Sequence, residues 1–345
     1  MKKNGTLAQP LINDRIIRFD SFIPCATAFI DARTPGSDKK ENFCLIGGGV
    51  AENEKQFVHI DIPHGFDVGA GRQPHGCKNS HHSHDTEEVF VVFSGDWKFS
   101  WGQEGKSGEV LLSRGDTISL PTQMFRGFEN VGDDSGFLFA ILGHKKDGSP
   151  GRVVWAPYVF HKAKSHGLVL LEDGQLIDTA AGEVLPDGIK EYTPITNEEA
   201  ESQFRKLTLE QMDQCVARND EIDTLCQGGI SQSPNVDERA IIGCENRFEN
   251  IGPGKMGGEH GFHLRHITIQ PKSEISNHFR HEEEVVIVHE GNLSIEMGGQ
   301  CSSLKRGDVF TAPIDHPRCY KNNSSEILQM FVIRRGDHPA AAEYL

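Results

Sequence analysis

The chain has 345 residues, of which 25% are charged and 37% hydrophobic, and its formal net charge at pH 7 is −15. This composition is typical of a folded globular protein, and the length predicts two hydrophobic cores. The negative charge argues against nucleic acid or an anionic membrane surface as a partner, because the mean field of the protein repels both. The eight cysteines form no C-x-x-C pair, and no run reaches the ~18 apolar residues of a membrane span, so we expect free thiols and a cytoplasmic protein.

Short β-type segments fill the first half of the chain after a mixed N-terminal stretch. Apolar pieces within residues 1–46 predict an extension that packs on the first core. From residue 57, segments of alternating or apolar character are separated by Gly, Asp or Pro, which predicts the strands of an antiparallel sandwich or barrel. The predicted strands are 57–62, 89–93, 97–101, 109–113, 117–120 and 137–142.

The pattern changes after Pro157. An Asp-Gly turn between two apolar runs predicts a hairpin. Thr196 stands three residues before Glu199, and Thr208 three before Gln211, which is the spacing of a capping box at the start of a helix. The elements predicted for this connection are a hairpin over 168–179 and short helices over 197–206 and 209–218.

The second half repeats the first. Strands are predicted at 262–269, 285–288, 293–297, 309–312 and 328–333. His82, His84, Glu88 and Gly95 correspond to His278, Arg280, Glu284 and Gly291, each 196 residues later. Gly115, Pro121, Arg126 and Asn130 correspond to Gly307, Pro313, Arg318 and Asn322, each 192 residues later. Two blocks with constant offsets predict an internal duplication, with the length difference in a loop between them.

Two histidines and a glutamate stand close together in the first copy. His82 and His84 are two residues apart, so in an extended strand both side chains point to the same face. Glu88 follows after a short turn and can return a carboxylate to the same pocket. Two neutral imidazoles and one carboxylate are a known ligand set for a divalent transition metal that keeps open coordination positions. The spacing therefore predicts a metal site at these three residues.

The same residues resemble the motifs of the cupin superfamily. Its first motif, G-x5-H-x-H-x3-E-x6-G, is matched at every fixed position by Gly76, His82, His84, Glu88 and Gly95. Its second motif, G-x5-P-x-G-x2-H-x3-N, is matched with two departures, since Gln123 replaces a glycine and Arg126 replaces the third histidine ligand. In the second copy, Arg280, Asp315 and Arg318 replace the corresponding motif residues.

The resemblance implies an all-β protein of two double-stranded β-helix barrels, jelly-roll-like in form, joined by a short, partly helical connection. The implied domains are an N-terminal extension (1–46), a first barrel (47–160), the connection (161–236) and a second barrel (237–345). The layout is similar to that of ring-cleaving bicupin dioxygenases of the gentisate type. The three-histidine iron site of that family is not reproduced here.

The two barrels differ in the number of ligand positions that carry arginine. A guanidinium has no lone pair to offer a metal, so Arg126 cannot replace a histidine ligand. The first barrel nevertheless keeps three of the four motif ligands. The second barrel keeps His278 and Glu284 but has arginine at both other positions, so we expect no transition metal there and a structural or effector-binding role.

Two interpretations of the first barrel stay open at this point. In one, a metal binds to His82, His84 and Glu88, and Arg126 clamps the carboxylate of a substrate in two-pronged fashion. In the other, Glu88 forms an ion pair with Arg126, and the histidines only form hydrogen bonds.

The leading hypothesis for function is an oxygen-dependent, dioxygenase-like oxidoreductase that acts on a small anionic substrate. It would hold one divalent ion in the first barrel, iron(II) in first place, with manganese, nickel and zinc as alternatives. The alternatives are a metal-dependent lyase or isomerase and a metal-free binding or storage-type bicupin. Exposed barrel edges also predict a homo-oligomer, with a homodimer favoured over a monomer.

Overall fold

The computed structural model describes residues 12–345 except residue 54, and these residues form two compact units. The first-barrel unit comprises residues 22–223. The second-barrel unit comprises residues 12–21 together with 224–345. Within the described residues, no helix is both long and apolar enough to cross a membrane.

Strands dominate both units. In chain order they are β1 (Ile16–Ile17), β2 (Glu41–Ile46), β3 (Val58–Ile60), β4 (Phe66–Gln73), β5 (Lys78–His84), β6 (Glu88–Ser94), β7 (Trp97–Trp101), β8 (Gly108–Leu112), β9 (Thr117–Leu120), β10 (Arg126–Asn130), β11 (Gly136–Gly143), β12 (Val153–Trp155), β13 (Leu168–Leu170), β14 (Leu176–Asp178), β15 (Val216–Ala217), β16 (Val236–Ile242), β17 (Phe262–Ile269), β18 (Ser273–Phe279), β19 (Glu284–Glu290), β20 (Asn292–Met297), β21 (Gln300–Lys305), β22 (Val309–Ala312), β23 (Arg318–Asn322), β24 (Leu328–Arg335) and β25 (Glu343–Tyr344).

The helices are short and lie mainly between the barrels in sequence. They are α1 (Pro157–Ser165), α2 (Asn197–Gln203) and α3 (Leu209–Asp213). Single 3-10 turns cover Ile12–Arg15, Phe19–Ser21, Thr179–Ala181, Asn219–Thr224 and Gly229–Gln232. The two predicted capping boxes are present, with Thr196 bonded to Glu199 and Thr208 bonded to Gln211.

The first barrel consists of two antiparallel sheets that face each other. One has the order β15-β9-β6-β11-β4-β2-β3, with only the β2–β3 pair parallel, and the other has the order β12-β5-β10-β7-β8. Its core lies between the sheets, where Phe90 and Leu138 from the first pack with Phe99 and Phe128 from the second. Most of these strands either alternate apolar and polar residues or are apolar throughout, because at least one face of each strand is buried in this core.

The second barrel repeats this arrangement. Its sheets have the orders β1-β22-β19-β24-β17-β16 and β21-β20-β23-β18-β25. The four-strand series β9-β6-β11-β4 in the first barrel matches β22-β19-β24-β17 in the second. Each unit is therefore a two-sheet barrel of the double-stranded β-helix, jelly-roll type, and the predicted all-β fold class is confirmed.

Backbone conformation supports the duplication at its turns. Gly95 and Gly291 both have φ near +80° (83° and 76°), a region that glycine enters at little cost. Gln123 and Asp315 occupy the positions where the cupin motif has glycine, and both keep the left-handed conformation, with φ of 55° and 59°. The turn is thus preserved in both copies even though the glycine is not.

Two features differ from the sequence-based expectation. Residues 12–21 belong to the second-barrel unit, where Ile16 pairs with Phe310, whereas the expectation was that the whole N-terminal stretch packs on the first core. Residues 1–11 of that predicted extension lie outside the described residues. Helix α1 was also missed, although the proline at its first turn is a helix-start signal. The domain boundaries themselves stay predictions.

Candidate metal centre

Two strands on opposite sheets bring the predicted ligands together. β5 ends at His84 and β6 begins at Glu88, so the chain turns between the sheets over three residues. One potential ligand atom from each of His82, His84 and Glu88 lies within 4.8 Å of the others, and all three side chains are buried. The predicted return of the carboxylate to the histidine pair is therefore confirmed as geometry.

Hydrogen bonding determines which nitrogen of His82 has a lone pair available for a metal. Its Nδ1 lies 2.7 Å from the carbonyl oxygen of Ser80, which can only accept, so Nδ1 carries the proton. The lone pair is then on Nε2, and a backbone carbonyl behind a metal-ligating histidine is a common support. The Nδ1 atom of His84 is buried and has no hydrogen-bond partner among the described residues. The other nitrogen of His84, Nε2, is the one that lies near the carboxylate, 3.6 Å from Glu88 Oε1.

Both imidazoles are held in the neutral form that metal binding requires. Burial, and after it the charge of Arg126, lowers the pKa of His82 and of His84 well below the usual 6.5. Neither ring is therefore an imidazolium at neutral pH. The residues present fit a divalent cation with two imidazole nitrogens and one carboxylate oxygen.

Arg126 lies directly behind the carboxylate. Its Nη2 donates to Glu88 Oε2 at 2.6 Å, and Nη1 approaches the carbonyl oxygen of Met124 at 3.3 Å. The other carboxylate oxygen, Oε1, lies 3.6 Å from Nε2 of His84. Arg126 is 1% exposed and does not line the cavity described below. The ion pair weighed in the sequence analysis is thus present, and it leaves Oε1 facing the histidines.

A cavity of about 80 Å³ adjoins the three ligands. β4 and β11 form much of one wall, where Gly69, Gly71 and Ala140 leave room that larger residues would fill. Phe29 and Trp155 are part of the opposite wall. Strand β4 was not predicted from the sequence, because a glycine-rich segment (DVGAGR) does not show the apolar pattern of a strand.

A buried lysine supports the strand that carries the histidines. Lys40 forms an ion pair with Asp31 and donates to Asn79 Oδ1 at 2.6 Å, and Asp31 Oδ2 accepts the backbone N–H of Ser80 at 2.9 Å. The carbonyl of Ser80 is the group that fixes His82. Sequence reasoning missed this network, because a single lysine in a polar loop gives no sign of burial.

The equivalent place in the second barrel is filled by charges of the protein itself. Glu284 accepts hydrogen bonds from Arg318 Nη2 at 2.8 Å and from the Tyr320 hydroxyl at 2.7 Å, and Arg280 Nε lies 3.2 Å from its other oxygen. Burial alone would raise the pKa of Glu284, but Arg318 and Arg280 hold it well below its usual range. His278 keeps the same support as its counterpart, since its Nδ1 lies 2.9 Å from the Ser276 carbonyl.

Further buried charges extend this network. Arg334 bonds to Glu238 and Glu249, and Arg280 reaches the same Glu249 oxygen at 2.9 Å. Arg265 lies in the same cluster, with its Nε 3.9 Å from Glu238. No group of three metal-type ligands is found in the described part of this barrel. Both oxygens of Glu284 thus have an arginine as neighbour, Arg318 on one and Arg280 on the other.

Comparison with known proteins identifies the repeated unit. Residues 265–334, within the second barrel, match the family model described as Cupin domain. No curated protein sequence matches the chain. This match agrees with the superfamily that the motifs suggest, and it covers part of the second barrel.

Several solved structures share the two-barrel arrangement. A deletion mutant of oxalate decarboxylase from Bacillus subtilis aligns with a TM-score of 0.55 at 12% identity, over 96% of this chain and 79% of that one. The 7S globulin of Momordica charantia aligns with a TM-score of 0.53 at 12% identity, over 94% and 84%. A salicylate 1,2-dioxygenase mutant from Pseudoaminobacter salicylatoxidans reaches 0.46 at 14% identity, over 79% and 72%. At 12% identity, the likeness to the oxalate decarboxylase and to the globulin extends to the fold alone.

Proposed function

Because this chain is a bicupin, with two barrels of the cupin superfamily, we propose that its first barrel is a metal-dependent catalytic centre and its second barrel a structural partner. The proposed reaction is oxygen-dependent and acts on a small anionic substrate. The observation that carries the proposal is the convergence of His82, His84 and Glu88 within 4.8 Å beside a cavity. In the second barrel the equivalent carboxylate, Glu284, is bonded to Arg318 and lies 3.2 Å from Arg280.

Iron(II) is the proposed metal. Two histidines and one carboxylate on one side of an ion are the ligand set of non-haem iron(II) oxygenases, and the ion when bound supplies open positions for an oxygen donor of the substrate and for O2. Manganese is the first alternative, since Mn(II) centres are named for the oxalate decarboxylase that shares this fold. Nickel and zinc complete the set of metals that these ligands accept.

The residues of the chain have separate roles in this proposal. His82 and His84 offer lone pairs, and Glu88 offers Oε1. Arg126 holds Oε2, so it orients the ligand carboxylate and neutralises its charge. The sequence-based role of Arg126 as a clamp on the substrate would require the guanidinium to leave Glu88 and reach the cavity. We therefore propose Arg126 as a positioning residue.

Oxygen consumption tests the reaction class. Protein loaded with iron(II) under anaerobic conditions is mixed with a panel of aromatic and aliphatic acids, and O2 uptake is followed with substrate loss. We expect stoichiometric O2 uptake with at least one acid, and none in His84→Ala. Substrate loss without O2 uptake would replace the oxygenase with a lyase or isomerase, in which the metal acts as a Lewis acid.

A metal-free binding protein is the second candidate. The specific observation in its favour is the 2.6 Å bond between Arg126 and Glu88, which already compensates the buried carboxylate without a cation. The two candidates differ in metal content, because only the first requires an ion to bind at His84. Protein that neither carries nor takes up a divalent metal would establish the second.

A further inference from the structure

The cavity of the first barrel has an unusual distribution of charge. Among the described residues that line it, Glu88 is the only carboxylate and there is no lysine or arginine. The remaining lining is apolar or neutral, and it includes Phe43, Phe90, Phe128 and Trp155. An ionised group on a ligand placed against these rings would lose its hydration without gaining a partner of opposite charge.

One end of the cavity differs from the rest. Arg126 lies 2.6 Å from Glu88 and offsets its charge, and an imidazole that offers its lone pair to a metal is uncharged, so the charge of a bound divalent metal would not be cancelled by its protein ligands. An anionic group of a ligand is therefore favoured at the metal and disfavoured elsewhere in the cavity. A ligand that fits this pattern carries one negative charge at one end and an apolar body at the other.

The size of the cavity limits the body of the ligand. At ~10–15 Å³ for each water-sized group, about 80 Å³ holds roughly five to eight such groups. The space exists because Gly69 and Gly71 in β4 stand where Arg265 and Ile267 stand in β17, each 196 residues later. Ala140 in β11 pairs with Gly69, as Val332 in β24 pairs with Arg265.

We propose that the first barrel takes a small monocarboxylic acid with an apolar chain, and that it rejects dicarboxylic acids and uncharged analogues of the same shape. The carboxylate binds at the metal, and the apolar chain lies between β4 and the lining residues Phe29 and Trp155. The proposal rests on the proposed function, because the metal supplies the positive charge. It adds the class of acid that the site selects.

Three probes of nearly the same shape separate the contribution of the carboxylate to binding from that of the apolar chain. Butyrate has one carboxylate, succinate replaces its terminal methyl group by a second carboxylate, and butyramide replaces its carboxylate by a neutral amide. The protein is loaded with zinc, which undergoes no redox chemistry, and binding is measured by calorimetry. We expect butyrate to bind at least tenfold more tightly than succinate and butyramide. Succinate binding as tightly as butyrate would overturn the inference, and so would butyramide doing so.

Cavity-filling variants show where the ligand binds. Gly71 lines the cavity, and a Cβ added there meets no atom within 4 Å, so Gly71→Val is the first filling variant. It should weaken butyrate binding at least tenfold while zinc content stays at the level of the parent. Ile267→Val alters the equivalent position of the second barrel and should leave butyrate binding unchanged. Ala140→Leu is the second filling variant if Gly71→Val does not fold.

The outcomes distinguish this inference from the proposed function. Zinc that binds in the parent but not in His84→Ala, together with a preference for succinate, would overturn the class of acid and leave the metal centre standing. Protein that takes up no zinc would overturn both. Butyrate binding that is equal in the parent and in both filling variants would place the ligand outside the cavity and overturn the inference.

Discussion

Arg126 Nη2 lies 2.6 Å from Glu88 Oε2, and the other oxygen of that carboxylate faces His84 Nε2 at 3.6 Å. The two oxygens therefore have different neighbours, one cationic and one an imidazole. Arg126 occupies the position at which the cupin motif has its third histidine. The ion pair and a metal bound through Oε1 are compatible, because each uses a different oxygen.

Removal of the guanidinium tests the strength of this pair. Arg126→Met leaves a buried carboxylate without its partner, so we expect the metal-free protein to lose about 3–5 kcal/mol of stability. Urea unfolding followed by tryptophan fluorescence measures this, since all three tryptophans (Trp97, Trp101 and Trp155) lie in the first-barrel unit. The control is the double variant Arg126→Met with Glu88→Gln, which should recover most of the loss. A loss below about 1 kcal/mol in the single variant would show that the pair is not maintained in solution.

Restoration of the third motif histidine tests the metal site by adding a ligand. Arg126→His offers an additional nitrogen beside His82, with which Arg126 is paired across β5 and β10. We expect roughly tenfold or greater tightening of zinc binding, because one more ligand is available and the neighbouring positive charge is lost. Competition with a chromogenic chelator measures the affinity. A variant that binds zinc no better than the parent would favour the metal-free interpretation.

Tyr320 gives a matching test in the second barrel. Its hydroxyl donates to Glu284 at 2.7 Å and lies 3.2 Å from Arg318 Nε. Tyr320→Phe should cost about 1–3 kcal/mol, since a buried carboxylate loses a donor, without any change in metal content. Hydrogen exchange of β18 and β23 measures the loss. The first barrel has Phe128 at the equivalent position, so Phe128→Leu is the comparison outside the network. Unchanged exchange in Tyr320→Phe would contradict the proposed strength of the cluster.

Stability should fall as the pH is lowered, in two ranges. Burial, and then Arg318 and Arg265 respectively, lower the pKa of His278 to about 4 and that of His263 to about 3. The folded protein keeps both rings neutral while the unfolded chain takes up protons below 6.5, so stability is lost from pH 6.5 downward. For His278 the difference corresponds to roughly 3 kcal/mol.

A buried carboxylate, Glu249, accounts for the loss of stability in the lower pH range. Burial would raise the pKa of Glu249, but Arg334 and Arg280 hold it at about 2. Its contribution is therefore full above pH 4.5 and is lost as the pH falls towards 2. Urea unfolding at pH 7, 5.5 and 4 should show the first decline. His278→Asn, which retains a donor for the Ser276 carbonyl, should make the decline smaller by the contribution of His278 and leave that of His263. A parent stability that is constant between pH 7 and 4 would contradict this assignment of protonation states.

Motif spacing predicted which three side chains converge, because they are local in sequence, and metal binding by them stays a prediction. His82 and His84 share a face of one strand, and Glu88 begins the next strand, so three residues within seven positions define the centre. The duplication followed from constant offsets, which strand pairing confirms in the structure. Glu88 lies beside Leu120 and Leu142 as Glu284 lies beside Ala312 and Arg334.

The walls of the cavity and the buried charges could not be predicted in the same way. Gly69 and Gly71 are significant only because β4 lies next to β11, a pairing that joins residues about 70 positions apart. Glu249 meets Arg334 across 85 positions, and nothing near either residue indicates the other. Arg126 was read correctly as an ion-pair partner in one of two open interpretations. The 2.6 Å distance to Glu88 shows that the ion pair is present, and metal analysis is needed to choose between the two interpretations.

Metal content measured for three proteins tests the central claim most directly. The parent, His84→Ala and His278→Ala are expressed with supplemented iron, purified without chelator and analysed for metals. The account predicts about one equivalent per chain in the parent and in His278→Ala, and less than about a tenth of that in His84→Ala. Equal metal content in the parent and His84→Ala, or loss of an equivalent in His278→Ala, would contradict a single metal centre in the first barrel.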